Sequence, residues 1–149
     1  MSLKNRLFDD MKIAMKEKAA GKAKLSVIRM VRSAIKNKEI ELGRELSEQE
    51  TLEVIVREVK MRRDALPEYE KSGREELVAG LREEIEILSP YLPEQLTALE
   101  IEALVRKAIC QVKATGLQDL GKVMGIVIPE TKGKADGKLV NDMVRRLLS

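Results

Sequence analysis

The sequence predicts an all-α protein with an N-terminal four-helix part followed by a C-terminal three-helix part. Three observations carry this expectation. The chain is 44% hydrophobic and 36% charged, a mixture rich in Ala, Leu, Glu, Lys and Arg that suits helical surfaces. Apolar residues recur at three- and four-residue steps. No stretch sustains the two-residue alternation of a sheet. At 149 residues the chain can bury a real core, either as one domain or as two helical parts sharing a hinge.

The elements follow in order. Leu3, Leu7, Met11, Ala14 and Met15 mark the inward face of a first helix, for which Gly21 offers a stop. A second helix runs from about Ala23 to Leu42, with Val27, Ile28, Val31, Ala34 and Ile35 as its apolar arc and Gly43 as its end. Ser47 and Glu50 read as a capping box that opens a third helix, because hydroxyl and carboxylate each satisfy an amide of the first turn. Leu52, Ile55, Val59 and Leu66 continue its stripe until Pro67, which should kink or end it. Gly73 then sets off a short acidic helix reaching Leu88.

Two prolines keep Ser89-Pro90-Tyr91-Leu92-Pro93 from being regular helix, and the boundary is placed there, giving parts 1–92 and 93–149. Thr97 and Glu100 form a second capping box. Ile101, Val105, Ala108, Ile109 and Val112 line a helix that should stop near Gly116. A sixth helix is expected from about Leu117 to Ile128, halted by Pro129. A seventh is expected from about Asp136 to Leu148, with Leu139, Met143, Val144 and Leu147 inward.

Composition removes most chemistry. There is no histidine, hence neither the commonest general base near neutral pH nor the commonest zinc ligand. Cys110 is the one cysteine, which excludes an internal disulfide, points to a reducing compartment and reads as a small helix-core residue. Glu83, Glu84 and Glu86 read as a solvated acidic face, not a magnesium site, so neither metal nor cofactor is expected. Gly116 to Val123 reproduces the glycine and lysine spacing of a phosphate-binding loop. It has Val123 where the magnesium-holding hydroxyl belongs, and a helix where the preceding strand belongs. The charged residues Lys4, Arg6, Asp9, Asp10 and Lys12 stand where a signal peptide needs an apolar run, so the cytoplasm is the expected location, without membrane contact. The chain is expected not to be an enzyme.

Charge is patterned more strongly than its net +3 suggests. Residues 1–40 carry a net +7, residues 41–102 a net −9 and residues 103–149 a net +5. On the second helix Lys22, Arg29, Arg32 and Lys36, with Ser26 and Ser33, fall on one side as a basic stripe, though such residues belong on any exposed face. A more specific feature lies between Pro129 and the last helix. Gly133 and Gly137 permit close approach of the backbone, Lys132, Lys134 and Lys138 supply donors, and the start of the last helix should add amides that favour phosphate, with Asp136 as its cap. Two readings stay open on this basis: a polyanion-binding module, and an adaptor whose acidic middle and apolar grooves hold a partner helix. Only Phe8, Tyr69 and Tyr91 are aromatic, so a nucleic-acid ligand would be read by shape and phosphate and not by base stacking.

Gly121-Lys122-Val123-Met124-Gly125, then Pro129, then Gly133-Lys134-Ala135-Asp136-Gly137-Lys138-Leu139-Val140-Asn141 resembles the signature of the YqeY-like proteins (the GatB/YqeY family). The likeness extends through Leu25-Ser26-Val27-Ile28-Arg29-Met30 and Tyr91-Leu92-Pro93-Glu94-Gln95-Leu96 and covers essentially the whole chain. It departs from the family pattern at Pro67, Ile128 and Glu130. The family is similar to the tail domain of the B subunit of the tRNA-dependent amidotransferase, a helical appendage implicated in holding tRNA while amidation occurs elsewhere. The resemblance implies a stand-alone, non-catalytic module that binds tRNA or accompanies a tRNA-handling enzyme. It carries the binding role onto Lys122, Gly125, Lys132, Gly133, Lys134, Ala135, Asp136 and Lys138. The alternative it implies is an accessory component of a glutamine-dependent amidotransferase acting on aminoacyl-tRNA, in which the carbon–nitrogen ligase activity would belong to the whole enzyme and not to this chain.

Overall fold

The computed structural model describes residues 2–149. Among them are seven α-helices and no strand. The backbone separates into two compact units, Met1–Leu92 and Pro93–Ser149, each with its own apolar cluster.

In the first unit, α1 (Leu3–Lys16) is capped by Ser2, whose side chain accepts from the Asn5 amide at 3.1 Å. It stops five residues short of Gly21, and a 3-10 turn over Lys18–Gly21 leads on. Gly21 is needed for a different reason: the chain there passes so close to the Ala14 carbonyl that a side chain has no room. Leu7 and Ala14 are buried, whereas Met15, expected inward, is 50% exposed. The next helix, α2 (Lys22–Leu42), ends at Gly43 in the left-handed region at φ 72°, with the glycine amide donating to Glu39 at 2.8 Å. Ser47 and Glu50 form the capping box of α3 (Glu48–Lys71). This helix runs through Pro67. The carbonyl that Pro67 leaves without a donor belongs to Arg63, in an outer turn that water reaches. The buried stripe of α3 is Thr51, Ile55, Val59 and Arg62, with Leu52 and Leu66 only half-buried.

Helix α4 (Glu75–Leu88) brings Leu88 into the core, and a 3-10 turn, Ser89–Tyr91, follows. The proline segment is fastened to α1. Tyr91 donates to the Asp10 carboxylate, the Arg6 guanidinium lies 4.9 Å over the Tyr91 ring, and Arg6 also donates to the Pro90 carbonyl at 3.1 Å. Burial first, then the bond to Asp10, raises the Tyr91 hydroxyl above its ordinary pKa. Val27, Ile28, Val31 and Ile35 of α2 meet Leu7, Ile55, Val59 and Leu88 in the core, each such side chain contributing roughly 2 kcal/mol of burial.

In the second unit, Thr97 and Glu100 form the capping box of α5 (Ala98–Val112). The helix ends not at Gly116 but at Lys113, itself left-handed at φ 56°. Cys110 lies on its exposed side and not in the core. After a 3-10 turn at Leu117–Asp119, α6 (Leu120–Thr131) runs through Pro129, whose lost partner is the carbonyl of exposed Gly125. The last helix is α7 (Gly137–Leu148). Its buried stripe is Val140, Val144 and Leu148, flanked by Met143 and Leu147, while Leu139 is 49% exposed. These residues close on Ile101, Val105 and Ala108 of α5 and Val123 and Val127 of α6. No helix is long and apolar enough to cross a membrane among the described residues.

Candidate nucleic-acid interface

The turn between α6 and α7 is built around Thr131. Its hydroxyl donates back to the Val127 carbonyl at 2.9 Å, and its own carbonyl accepts the amides of Lys134 (2.9 Å) and Ala135 (3.1 Å). Gly133 adopts φ 77°, which a residue with a Cβ takes only at a cost. From the start of the second unit, Gln95 Nε2 donates to the Gly133 carbonyl and the Leu96 amide donates to the Lys134 carbonyl, both at 2.9 Å. The turn is therefore clamped from a segment about forty residues earlier, with Lys132, Lys134 and Lys138 on its exposed side.

Asp136 caps α7, accepting from the Lys138 amide at 3.3 Å. This changes the expectation for phosphate. The Lys138 amide is already taken, and a carboxylate stands at the helix N-terminus where an anion would sit. The Lys138 amide is thus not available to a phosphate at this turn, whereas the lysine side chains are on its exposed side.

Lys122 stands in the first turn of α6, 72% exposed and 3.9 Å from Asp119. Ten residues separate it from Lys132, about 15 Å along the helix axis. At about 100° per residue, Gly121, Lys122, Gly125, Ile128 and Lys132 fall within an arc of about 120° on one side of α6. A Cβ on Gly121 or Gly125 would meet nothing within 4 Å, so no packing inside the chain accounts for two glycines that each cost a helix about 1 kcal/mol. The face is low in relief, with cations at its two ends.

The basic stripe of α2 borders two recesses. Arg32 leans toward α1, donating to Met11 Sδ at 3.0 Å and lying 5.1 Å over the Phe8 ring. With Lys36 it lines a cleft of about 170 Å³ that also contains Lys4, Leu7 and Glu39. Lys22 and Arg29 instead face a groove of about 690 Å³ between α2 and α3. Phe8 as a cation partner, and Gln95 as the clamp of the turn, carry no local signature, which is why sequence reasoning passes over them.

The Gly116 to Val123 span forms a 3-10 turn and the start of α6, and it is preceded by helix α5. Among the described residues no group of three or more acid or cysteine side chains is placed to hold a metal ion.

Residues 4–148 match the family model described as Yqey-like protein. Three relatives are each the E subunit of a Glutamyl-tRNA(Gln) amidotransferase. The chain is 33% identical to that of Methanococcus maripaludis over 93 residues, which is 61% of this chain and 15% of the relative. It is 48% identical to that of Thermococcus sibiricus over 46 residues, 31% of this chain and 7% of the relative. It is 42% identical to that of Methanocaldococcus jannaschii over 48 residues, 32% of this chain and 8% of the relative. The chain thus spans a small fraction of each.

Proposed function

The chain belongs to the YqeY-like protein family, and from that membership we propose that it is a non-catalytic helical module that binds tRNA or accompanies a tRNA-handling enzyme in the cytoplasm. In this reading Met1–Leu92 is an N-terminal four-helix domain, and Pro93–Ser149 is a three-helix domain that works as the amidotransferase B-subunit tail does. The observation that carries the reading is the exposed face of α6 and its following turn. Lys122 and Lys132 share that face with two glycines whose added Cβ would meet nothing within 4 Å, Lys134 and Lys138 follow in the turn and at the start of α7, and the turn is hydrogen-bonded by Gln95 and Leu96. A sugar-phosphate backbone needs such a surface: close approach without protruding side chains, cations on either side, and no loop-ordering cost on binding. The relatives are named for an amidotransferase of Glutamyl-tRNA(Gln), and this chain matches only a small part of each.

Catalysis finds no support in the residues. A serine nucleophile would have no imidazole beside it, since the chain has no histidine, and the Gly116 to Val123 span has Val123 where a phosphate loop needs a hydroxyl. Purified protein is expected to release no ammonia from glutamine and to consume no ATP. Turnover abolished by one substitution in this chain would overturn that part of the proposal.

The binding test is the salt dependence of tRNA affinity, measured by fluorescence anisotropy. Four lysine contacts predict that raising salt fourfold, from about 50 to about 200 mM, weakens binding roughly fifty- to one-hundred-and-fifty-fold. Replacing Lys132, Lys134 and Lys138 by Ala leaves one contact and flattens the loss to roughly threefold. Replacing Arg29, Arg32 and Lys36 is the control. Loss of binding with the α2 variant and none with the turn variant would move the site, and no binding at low salt would remove the tRNA reading.

A further inference from the structure

The groove between α2 and α3 combines two properties that the tRNA reading does not use. Its floor is apolar: Met30 and Met61 are 50% and 51% exposed, with Leu25 beside them. Its rim is positive. Lys22 and Arg29 are exposed, and no carboxylate engages either of them among the described residues. The acid on the wall, Glu58, is held at 2.9 Å by the buried Arg62, which it shares with Glu84, so its charge is offset in part. The first turn of α2 contains no acid, so no carboxylate of that turn stands beside Lys22.

Each candidate occupant is decided by what it leaves unused. A phosphate backbone would engage Lys22 and Arg29 but leave two methionines and a leucine wet. An uncharged apolar segment would cover the floor and take water from the cations without replacing it. A helix with an apolar face flanked by Asp or Glu uses both, and methionine side chains adapt to the shape of whatever covers them. We propose that the α2–α3 groove is a docking site for an amphipathic, acid-flanked helix of a protein partner, with Met30 and Met61 as its floor and Lys22 and Arg29 as its charge rim. The inference does not depend on the tRNA reading.

The methionine methyl groups are local probes. The full chain is labelled with 13C at the methionine methyls, and Met30 and Met61 are assigned by single Met→Leu variants. Two helical peptides of about 18 residues are titrated in, with Leu at three- and four-residue spacing and either Glu or Lys flanking the Leu face. Total tRNA is titrated separately. The Glu peptide should shift the Met30 and Met61 methyls saturably while Met124 and Met143, in the second unit's core, stay in place. The Lys peptide should bind at least about tenfold more weakly. Lys22→Glu with Arg29→Glu should weaken the Glu peptide by about tenfold or more, and the milder Lys22→Gln with Arg29→Gln by an intermediate factor, with helicity unchanged. Four results overturn the proposal: equal response to both peptides, no response at the two methyls, displacement of the peptide by tRNA with the same methyls moving, and movement of those methyls with protein concentration alone. The third would make the groove an RNA surface, and the fourth would make it a contact between copies of this chain.

Discussion

A methyl group on Gly21 has nowhere to go: its carbon would stand 2.2 Å from the Ala14 carbonyl oxygen and 2.9 Å from that carbonyl's carbon. Both atoms are backbone, so relief requires the end of α1 to move away from the turn that follows it. Gly21→Ala is therefore expected to destabilise the first unit by about 2 kcal/mol, a fall of roughly 10 °C in Tm by calorimetry. Gly125→Ala, where a Cβ meets open space, should raise stability by roughly 1 kcal/mol or less. Equal effects at the two sites would mean that the close approach at Gly21 does not set the packing of α1. A second residue-scale effect is electrostatic. Arg44 foremost, then the Ser47 amide, pulls Glu50 down to about 2 from its ordinary 4.5, and Lys4, then the Leu46 amide, lowers Glu39. A carboxyl that is more acidic in the folded chain stabilises above its ordinary value and loses that contribution as pH falls through the folded one. Stability of the first unit should thus decline between about pH 4.5 and about pH 2. Glu50→Gln keeps a side-chain acceptor for the cap but should make the decline shallower, as read by urea denaturation at stepped pH.

At the scale of elements, the contact between α3 and α4 turns on a buried cation. Arg62 is 5% exposed; Nη1 donates at 2.9 Å to both the carboxylate and the carbonyl of Glu58, and Nε donates to Glu84 at 3.1 Å. Arg62→Ala strands the nearly buried Glu58 and should cost about 3 kcal/mol, toward the low end for buried pairs because Glu84 keeps access to water. Arg62→Met together with Glu58→Gln should recover much of this, since the volume is filled and no charge is left alone. A cost for Arg62→Ala near that of an exposed pair would show that α4 is held by its apolar face alone. The same distinction between near and far partners explains what the sequence revealed. Both capping boxes and the stop at Gly43 are legible because each is completed within a few residues. Arg62 to Glu84 and Gln95 to Gly133 span 22 and 38 residues, and nothing local marks them. Pro67 and Pro129 look like helix ends, yet each frees only one carbonyl, and both sit where solvent can satisfy it. On α7 the apolar residues allow two adjacent stripes, and only packing against α5 and α6 selects Val140, Val144 and Leu148 over the one containing Leu139. The lysines of the candidate face were legible by residue type, whereas the loss of the Lys138 amide to Asp136 depends on side-chain geometry.

For the molecule as a whole, the question is whether the second unit holds its candidate site without help from the first. The turn between α6 and α7 is held by bonds from Thr131, Asp136, Gln95 and Leu96, all of them within Pro93–Ser149. The apolar cluster beneath it is likewise drawn from α5, α6 and α7. A unit of this length is small enough that its stability is marginal, so the ends of a fragment matter. A fragment of residues 93–149 should be helical by circular dichroism, unfold cooperatively in urea, and keep the tRNA salt slope of the full chain if the turn is the site. A fragment of residues 97–149 loses the Gln95 and Leu96 bonds to the turn and the packing of Leu96 on the core. At about 1 kcal/mol per hydrogen bond plus the lost burial, it should be less stable by about 2 to 3 kcal/mol, a large share of what so small a unit has. Its turn amides, Lys134 and Ala135 above all, should exchange hydrogen faster even under conditions where α5 stays formed. If the 93–149 fragment is unfolded while the full chain melts in one transition, the two units form a single cooperative domain. The candidate face would then owe its shape to residues 1–92 as well, and the four-lysine count behind its salt dependence would need contacts from both.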